Sequence, residues 1–262
     1  MASKTFKDIE LVSDDPGIPI ILRFPRQDES EWLARFWDQS GVPWRERLTN
    51  PNDINLVDFL SRIAAEYMQA QNEPETFRRN PKSLLFIASL ASGQKLGTFG
   101  ILRCRWDWRP NRQQPRSIKF IVDVGGTLNF GGHEDLEKCG SMMCVKLITE
   151  FAFNEYYNKE NGIQGNPFYV DTVECRWEIE DESSLEAMRD HFRWHEEPGY
   201  ENGERDGTLC FYISRDEYEE QVKDGTFYSK DIEQSSLYIS CNQSINSALF
   251  IIGISYSFLS DS

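Results

Sequence analysis

Paired metal-binding cysteines are the first thing this 262-residue chain lacks. Its six cysteines, at positions 104, 139, 144, 175, 210 and 241, include no C-x-x-C pair. There are only three histidines, and none completes a zinc-ligand spacing with a cysteine, so no metal is expected. The opening stretch MASKTFKDIELVSDD has no apolar centre of the kind a secretory leader needs. Free or structural thiols in a reducing, cytoplasmic compartment are therefore expected. Positive charge is scarce: 28 Lys and Arg stand against 43 Asp and Glu, for a net charge of −15. That balance repels nucleic acid and anionic membranes, and leaves a small-molecule or cationic partner as the expectation. Long apolar runs are missing too. The best of them, SALFIIGISYSFL, is too short and too rich in serine for a membrane span. It belongs to a stretch, Ser235 to Ser260, without a single Asp, Glu, Lys or Arg, read as an extra strand or a disordered tail.

What is present describes a folded protein: 39% hydrophobic residues and 13% aromatics. IPIILRF reads as a strand from Ile18 to Phe24. A helix follows, capped by Asp28 or Ser30, with Trp32, Leu33, Phe36 and Trp37 on one face. NDINLVDFLSRIAAEYMQA reads as a second helix, with Leu56, Phe59, Leu60, Ile63 and Ala64 three or four apart. SLLFIASLASGQKLGTFGILRCRW reads as a hairpin that turns at Gly93. SIKFIVDVGGTL is a strand with an expected break at Gly125 and Gly126, a pair that suits either simple turn chemistry or carbonyl binding. In DLEKCGSMMCVKLITEFAFNEYY, a sharp turn at Gly140 is expected to feed a helix whose face carries Met143, Leu147, Ile148 and Phe151. NPFYVDTVECRWEI is a strand, DESSLEAMRDHFRW a helix capped by Asp181 or Ser183, and GTLCFYISRDEYEEQV a strand running into a short helix. The order β, α, α, β, β, β, α, β, α, β predicts a mixed α/β sheet in one domain.

This order, with LLFIASLASGQKLGTFGILR, GSMMCVKLITEFAFNEYY and SSLEAMRDHFRWHEEPGYENGERDGTLCFYISRDEYE as its local sequences, resembles the GNAT (Gcn5-related N-acetyltransferase) superfamily over roughly Ile18 to Tyr218. The resemblance implies a GNAT-like domain over residues 18–225, between an N-terminal extension (1–17) and a C-terminal one (226–262). It also implies an acyl-CoA, such as acetyl-CoA, and transfer of its acyl group to an amine or hydroxyl of a small molecule or protein. Backbone N–H groups around Cys139, Gly140 and Ser141 would hold the pyrophosphate, with Val124 and Gly125 beside the cofactor. DLEKCG departs from the family loop of the type Gln/Arg-x-x-Gly-x-Gly/Ala: only Gly140 matches, Asp135 replaces the basic or amide residue, and Lys138 replaces the first glycine. Glu134, Asp135 and Glu137 oppose a bound phosphate by about 1 kcal/mol or more apiece. The family's general-acid tyrosine aligns with Ala187. These departures keep two other readings open. One is a GNAT-fold enzyme repurposed for CoA-independent decarboxylation, isomerisation or cyclisation of an apolar substrate. The other is an inactive interaction module.

Several residues are candidates for chemistry. Asp123, inside the apolar strand FIVDVGG, suits a proton acceptor with a raised pKa, or a strand-end carboxylate that bonds the Gly-Gly turn. Glu174 lies on the polar face of YVDTVECRWEIE with Thr172, Arg176 and Glu178, and fits either a cleft or a salt bridge to Arg176. His133 is a possible base near neutral pH. His191 and His195, four apart, are expected to share a helix face, and His191 is a second candidate base. Trp32, Trp106 and Trp108 are core residues or the wall of an apolar pocket.

Overall fold

The computed structural model describes residues 9–41, 57–59, 61, 62, 65, 83–107, 119–131, 134–156, 170–201 and 204–229. Eight strands form one sheet: β1 (Glu10–Val12), β2 (Ile20–Arg23), β3 (Leu84–Leu90), β4 (Lys95–Asp107), β5 (Lys119–Leu128), β6 (Thr172–Glu178), β7 (His195–Glu201) and β8 (Glu204–Ser214). Their spatial order is β1-β2-β3-β4-β5-β6-β8-β7. Every neighbouring pair is antiparallel except β5 and β6. The helices are α1 (Ser30–Gln39), α2 (Glu134–Phe151, extended by a π turn to Tyr156), α3 (Glu182–His191) and α4 (Arg215–Lys223). The expected mixed α/β sheet is therefore present, with β1 added from the stretch expected as an extension.

The sequence pattern explains most of these elements. The β3–β4 hairpin turns where glycine was expected, with Gly93 at a φ of 90° that other residues rarely adopt. Helix α3 starts on Asp181, whose carboxylate accepts from the Ser184 N–H at 3.1 Å. Helix α2 buries Met143, Leu147, Ile148 and Phe151 as expected, and also Met142, Cys144 and Val145. A helix that is apolar nearly all round must be covered on both sides. The sheet covers one side, with Phe151 edge-on to Phe86 at 5.6 Å. On the other side Lys146, only 8% exposed, pairs with Asp14 at 3.1 Å and Glu150 at 3.2 Å.

Four expectations fail here, each for a physical reason. Strand β5 does not break at Gly125 and Gly126, because both pair with β4 opposite Gly100 and Phe99. A Cβ on Gly126 would lie 2.0 Å from the Thr98 carbonyl oxygen, so this glycine permits close approach and makes no turn. Neither Asp28 nor Ser30 caps α1: a 3-10 turn (Gln27–Glu29) leads into it. Gly140 is no loop turn either. Helix α2 has begun six residues earlier, and a Cβ at Gly140 would meet the Phe130 ring at 2.5 Å. Finally, α3 ends at His191, and His195 opens β7, so the two histidines share no helix face. Of the expected second helix, residues 57–59, 61, 62 and 65 are helical and the rest lie outside the described residues, as does the uncharged tail.

Candidate functional site

The parallel pair β5/β6 defines the site. Its ladder has four rungs, from Ile121↔Thr172 to Val124↔Cys175, and then stops. Both strands continue: β5 stays on β4 as far as Leu128, and β6 stays on β8 as far as Glu178. The sheet therefore parts into a V at the carboxyl ends of its parallel strands, the position where ligands enter open α/β sheets. Beyond Val124, the edge of β5 that faces away from β4 has no partner strand among the described residues. Helix α2 starts six residues after Leu128, at the same end, so the positive end of its dipole lies beside the opening. Between them, Gly131 adopts a φ of 60° and donates its N–H to Asn129 Oδ1 at 2.8 Å.

One rung below the opening, the strand register lines up polar residues. Arg103 is opposite Asp123, Asp123 opposite Glu174, Glu174 opposite Tyr212, and Tyr212 opposite His195. Cross-strand partners share a face, so five consecutive strands carry a polar row with neighbours about 5 Å apart. The opposite face of the same strands is apolar and buried: Val122, Val124, Val173, Cys175, Phe211 and Ile213.

Asp123 and Glu174 are 8% and 7% exposed. Arg105 spans them, donating from Nη1 to Asp123 Oδ1 and from Nη2 to Glu174 Oε2, each at 2.5 Å. Arg176 sits 3.7 Å from Glu174 and 3.1 Å from Asp206, and the Cys210 thiol lies 3.5 Å from Glu174 Oε2. Burial pushes the Asp123 carboxyl above its ordinary value; Arg105 opposes this and the Glu174 charge adds to it. Burial works against the charge on Arg105, yet the two carboxylates more than restore it. At the outer end of the row, His195 donates from Nε2 to Glu217 Oε1 at 2.5 Å, and its ring stacks on Tyr212 at 5.1 Å. Burial raises the Glu217 carboxyl, but bonds from Ser214 and His195 bring it down to about 2. Tyr212 is held protonated by burial and by Glu197 and Glu217.

The structure thus brings Asp123 and Glu174 together with Val124 and Gly125 at the V. It separates the others. Cys139, Gly140 and Ser141 lie in the second turn of α2, where backbone N–H groups are committed to the helix. His191 is buried on α3; its Nδ1 donates to the Ser229 carbonyl at 2.9 Å and its ring stacks on Tyr228 at 5.0 Å. Trp32 stacks on Phe36 beneath Lys95, at one end of β4, whereas Trp106 lies opposite Phe120 at the other end. Eleven residues of strand, about 35 Å, keep these two apart, so they wall no common pocket. Trp108 and His133 lie outside the described residues. Arg105 and Tyr212 were missed; the alternation in CRWD and CFYIS marks their faces but not the strands they meet.

No family model and no curated protein matches this chain. Solved structures do, acetyltransferases among them. The apo nucleotide-linked sugar GNAT FdhC is 12% identical at a TM-score of 0.40, over 84% of this chain and 97% of that one. The ribosomal L7/L12 α-N-protein acetyltransferase RimL, in complex with coenzyme A, is 11% identical at 0.39, over 79% and 98%. The spermidine/spermine N-acetyltransferase SpeG from Vibrio cholerae is 10% identical at 0.41, over 78% and 98%. Likeness at this level concerns general arrangement, and the functional reading rests on the V and its polar row. Among the described residues no group of His, Cys, Asp or Glu is placed to hold a metal, and no helix is long and apolar enough to cross a membrane.

Proposed function

We propose that this protein transfers an acyl group from an acyl-CoA to an amine. One observation carries the reading: the β5/β6 ladder ends at Val124↔Cys175 while both strands run on. Buried backbone N–H and C=O groups require partners, and the open edge of residues 125–128 offers them where a strand would lie. The amide-bearing pantetheine arm of CoA is an extended chain of suitable chemistry for that edge. The start of α2 fits the diphosphate less well. The positive end of its dipole and Gly131 favour an anion, the acidic residues Glu134, Asp135 and Glu137 in its first-turn sequence oppose one, and Lys138 offsets part of that charge.

Bound acyl-CoA would supply the thioester, and the chain's own residues would handle the amine and its proton. Asp123 is the proton acceptor, because burial raises its basicity toward that of a useful general base. Glu174, paired with Arg105 and Arg176, lies beside Asp123 and holds the ammonium form in place before it loses its proton. Arg105 positions both carboxylates. Amine, thioester and proton balance as R–NH3⁺ plus acyl-CoA giving the amide, CoA thiol and one proton to solvent.

The test is calorimetric titration with acetyl-CoA and with free CoA, combined with hydrogen exchange. Micromolar binding that slows amide exchange across residues 125–128 is expected. Absence of heat up to millimolar CoA, or protection confined to other segments, overturns the reading.

A further inference from the structure

We infer that the acceptor is a primary alkylamine, bound as its ammonium between one oxygen of Asp123 and one of Glu174, with its chain lying against the Tyr212 ring. This rests on the acyl-transfer reading and names the substrate class for the same site. The two carboxylates are served unevenly. Arg105 occupies Asp123 Oδ1 and Glu174 Oε2. The Cys210 thiol, at 3.5 Å, and Arg176, at 3.7 Å, approach Glu174 at that same Oε2. Asp123 Oδ2 and Glu174 Oε1 accept no hydrogen bond among the described residues. An ionised carboxylate has acceptor capacity on both oxygens, and leaving half of it unused in a buried place is costly. The two side chains keep 12% and 9% of their surface open, so a donor can still reach them.

A cationic nitrogen fits that gap. Asp123 and Glu174 are partners on neighbouring strands, which lie about 4.8 Å apart, and one nitrogen bonded at about 2.8 Å to each oxygen bridges such a spacing. Arg105 sits on β4 opposite Ile121, two residues from Asp123 on the side away from the V. It thus fills one side of the carboxylate pair, and the ammonium arrives from the other.

The flanks give the acceptor its direction. On the β4 side Arg103 stands opposite Asp123 and repels a second cation. On the β8 side, half-buried Tyr212 stands opposite Glu174. The His195 ring covers the β7 side of Tyr212, with centroids 5.1 Å apart and planes 27° from parallel. The other ring face is turned toward β6 and Glu174. An aromatic face within about 6 Å of a cation attracts it and its adjoining carbons. His195 is itself fixed by Glu217 at 2.5 Å, which accepts from both the N–H and the hydroxyl of Ser214. Tyr212 therefore meets the acceptor, and His195 and Glu217 are positioning residues that act through its ring.

A tetrahedral nitrogen held in this way has two N–H groups on the carboxylates, its carbon toward Tyr212, and its fourth direction toward the V. The acyl carbon has to arrive along that fourth direction, so a second alkyl group there blocks it. After Asp123 takes one proton, a turn about the C–N bond brings the lone pair to the V, and a primary amine alone leaves that path clear.

The experiment is calorimetric titration of the full chain, alone and saturated with free CoA, with butylamine, butyltrimethylammonium and butan-1-ol at pH 7. Butylamine is expected to bind at least tenfold more tightly than its trimethyl form, which has no N–H, and butan-1-ol not measurably. Tyr212→Phe should keep the butylamine affinity and Tyr212→Leu should lower it about threefold or more, with the melting temperature and CoA affinity unchanged. His195→Ala should weaken butylamine binding in the same sense, and His195→Phe should restore it by putting a ring back behind Tyr212. Equal affinity for butylamine and butyltrimethylammonium overturns the clamp, as does CoA binding without any butylamine binding, which leaves the transferase reading standing. Equal losses in Tyr212→Phe and Tyr212→Leu overturn the ring wall. Butylamine binding by a protein that binds no CoA removes the transferase reading and leaves the ammonium site.

Discussion

Two buried carboxylate clusters sit on the same sheet and are built in opposite ways. Near the first helix, a single carboxylate, Glu29, 4% exposed, is surrounded by donors: both terminal nitrogens of Arg23 at 2.5 and 2.7 Å, Lys95 at 2.8 Å, and the Arg26 N–H at 2.9 Å. Burial alone would raise it, but these partners bring it down to about 2. At the V, two carboxylates share the fork of one Arg105, and Asp123 ends above its ordinary value. Over-supplied with donors, Glu29 is locked as an anion and ties the start of α1 to β2 and β4. Under-supplied, Asp123 is left close to exchanging a proton. A buried charge costs several kcal/mol unless fully paired, so the second arrangement is the one that a purely structural role does not explain.

The comparison is broken most directly by neutralising each carboxylate in turn. Asp123→Asn is expected to lower acyl transfer by about a hundredfold or more, the range of a lost general base, without lowering stability. Steady-state rates and urea unfolding of the same preparation check both halves. If Asp123→Asn unfolds the protein while the surviving fraction remains fully active, the two clusters are alike and the contrast is wrong. Glu29→Gln should do the reverse, costing about 3 kcal/mol by stranding Arg23 and Lys95 and leaving kcat per folded molecule intact. The sign of its pH dependence follows from the depressed carboxyl. The stabilisation is complete above the ordinary value of 4.5 and is lost as pH falls toward about 2. Acid unfolding of Glu29→Gln should therefore lack the steep limb expected of the wild type below about pH 5.

Much of this contrast was invisible before folding, for reasons that individual residues make plain. The β3–β4 hairpin and the face of α2 could be read because their signals are local: a glycine at a turn and apolar residues three or four apart. Asp123 and Glu174 could be singled out as polar residues in apolar strands, but not as neighbours, because they are 51 residues apart and meet through a parallel register. Gly140 shows the converse problem. A glycine kept small by the Phe130 ring looks in sequence the same as one that makes a turn, so the phosphate-loop reading fell six residues inside a helix. The glycine with positive φ, Gly131, was nearer the helix start all along. Strand β7 hid behind HEEPGYE, whose Pro198 and Gly199 read as loop. Proline is tolerated there because β7 is the edge strand among the described residues, pairing with β8. Tyr212 then escaped notice, and His195 was assigned to a helix, because the row exists only once β7 is in place.

A smaller effect sharpens the view of the Glu29 side as a rigid frame. Trp37, 4% exposed, donates its indole N–H to Thr98 Oγ1 at 3.0 Å, a side-chain bond between α1 and the centre of β4. Thr98→Val removes the acceptor and keeps the shape, so it strands one buried donor at a cost of about 1–2 kcal/mol. Thermal unfolding should show that loss, and acyl transfer at 25 °C should not change. A fall in kcat from this substitution would mean that the frame and the V are coupled.

The smallest expected effect is the most specific. An acid whose pKa is raised by folding stabilises the fold fully below its unfolded value and loses that contribution as pH rises through the folded one. Asp123 is such a group, because burial outweighs Arg105. The stability difference between Asp123→Asn and wild type should accordingly shift in favour of the variant as pH climbs from 4 to 7, opposite in direction to the Glu29 profile. Urea midpoints at four or five pH values read it directly, with Glu174→Gln as the control that leaves Asp123 in place. In that control the Asp123 carboxyl loses its anionic neighbour while keeping Arg105, so the slope due to Asp123 should shrink. Parallel curves for Asp123→Asn and wild type across this window would show that Arg105 satisfies Asp123 as completely as Arg23 and Lys95 satisfy Glu29. The case for Asp123 as proton acceptor would then be lost with the contrast.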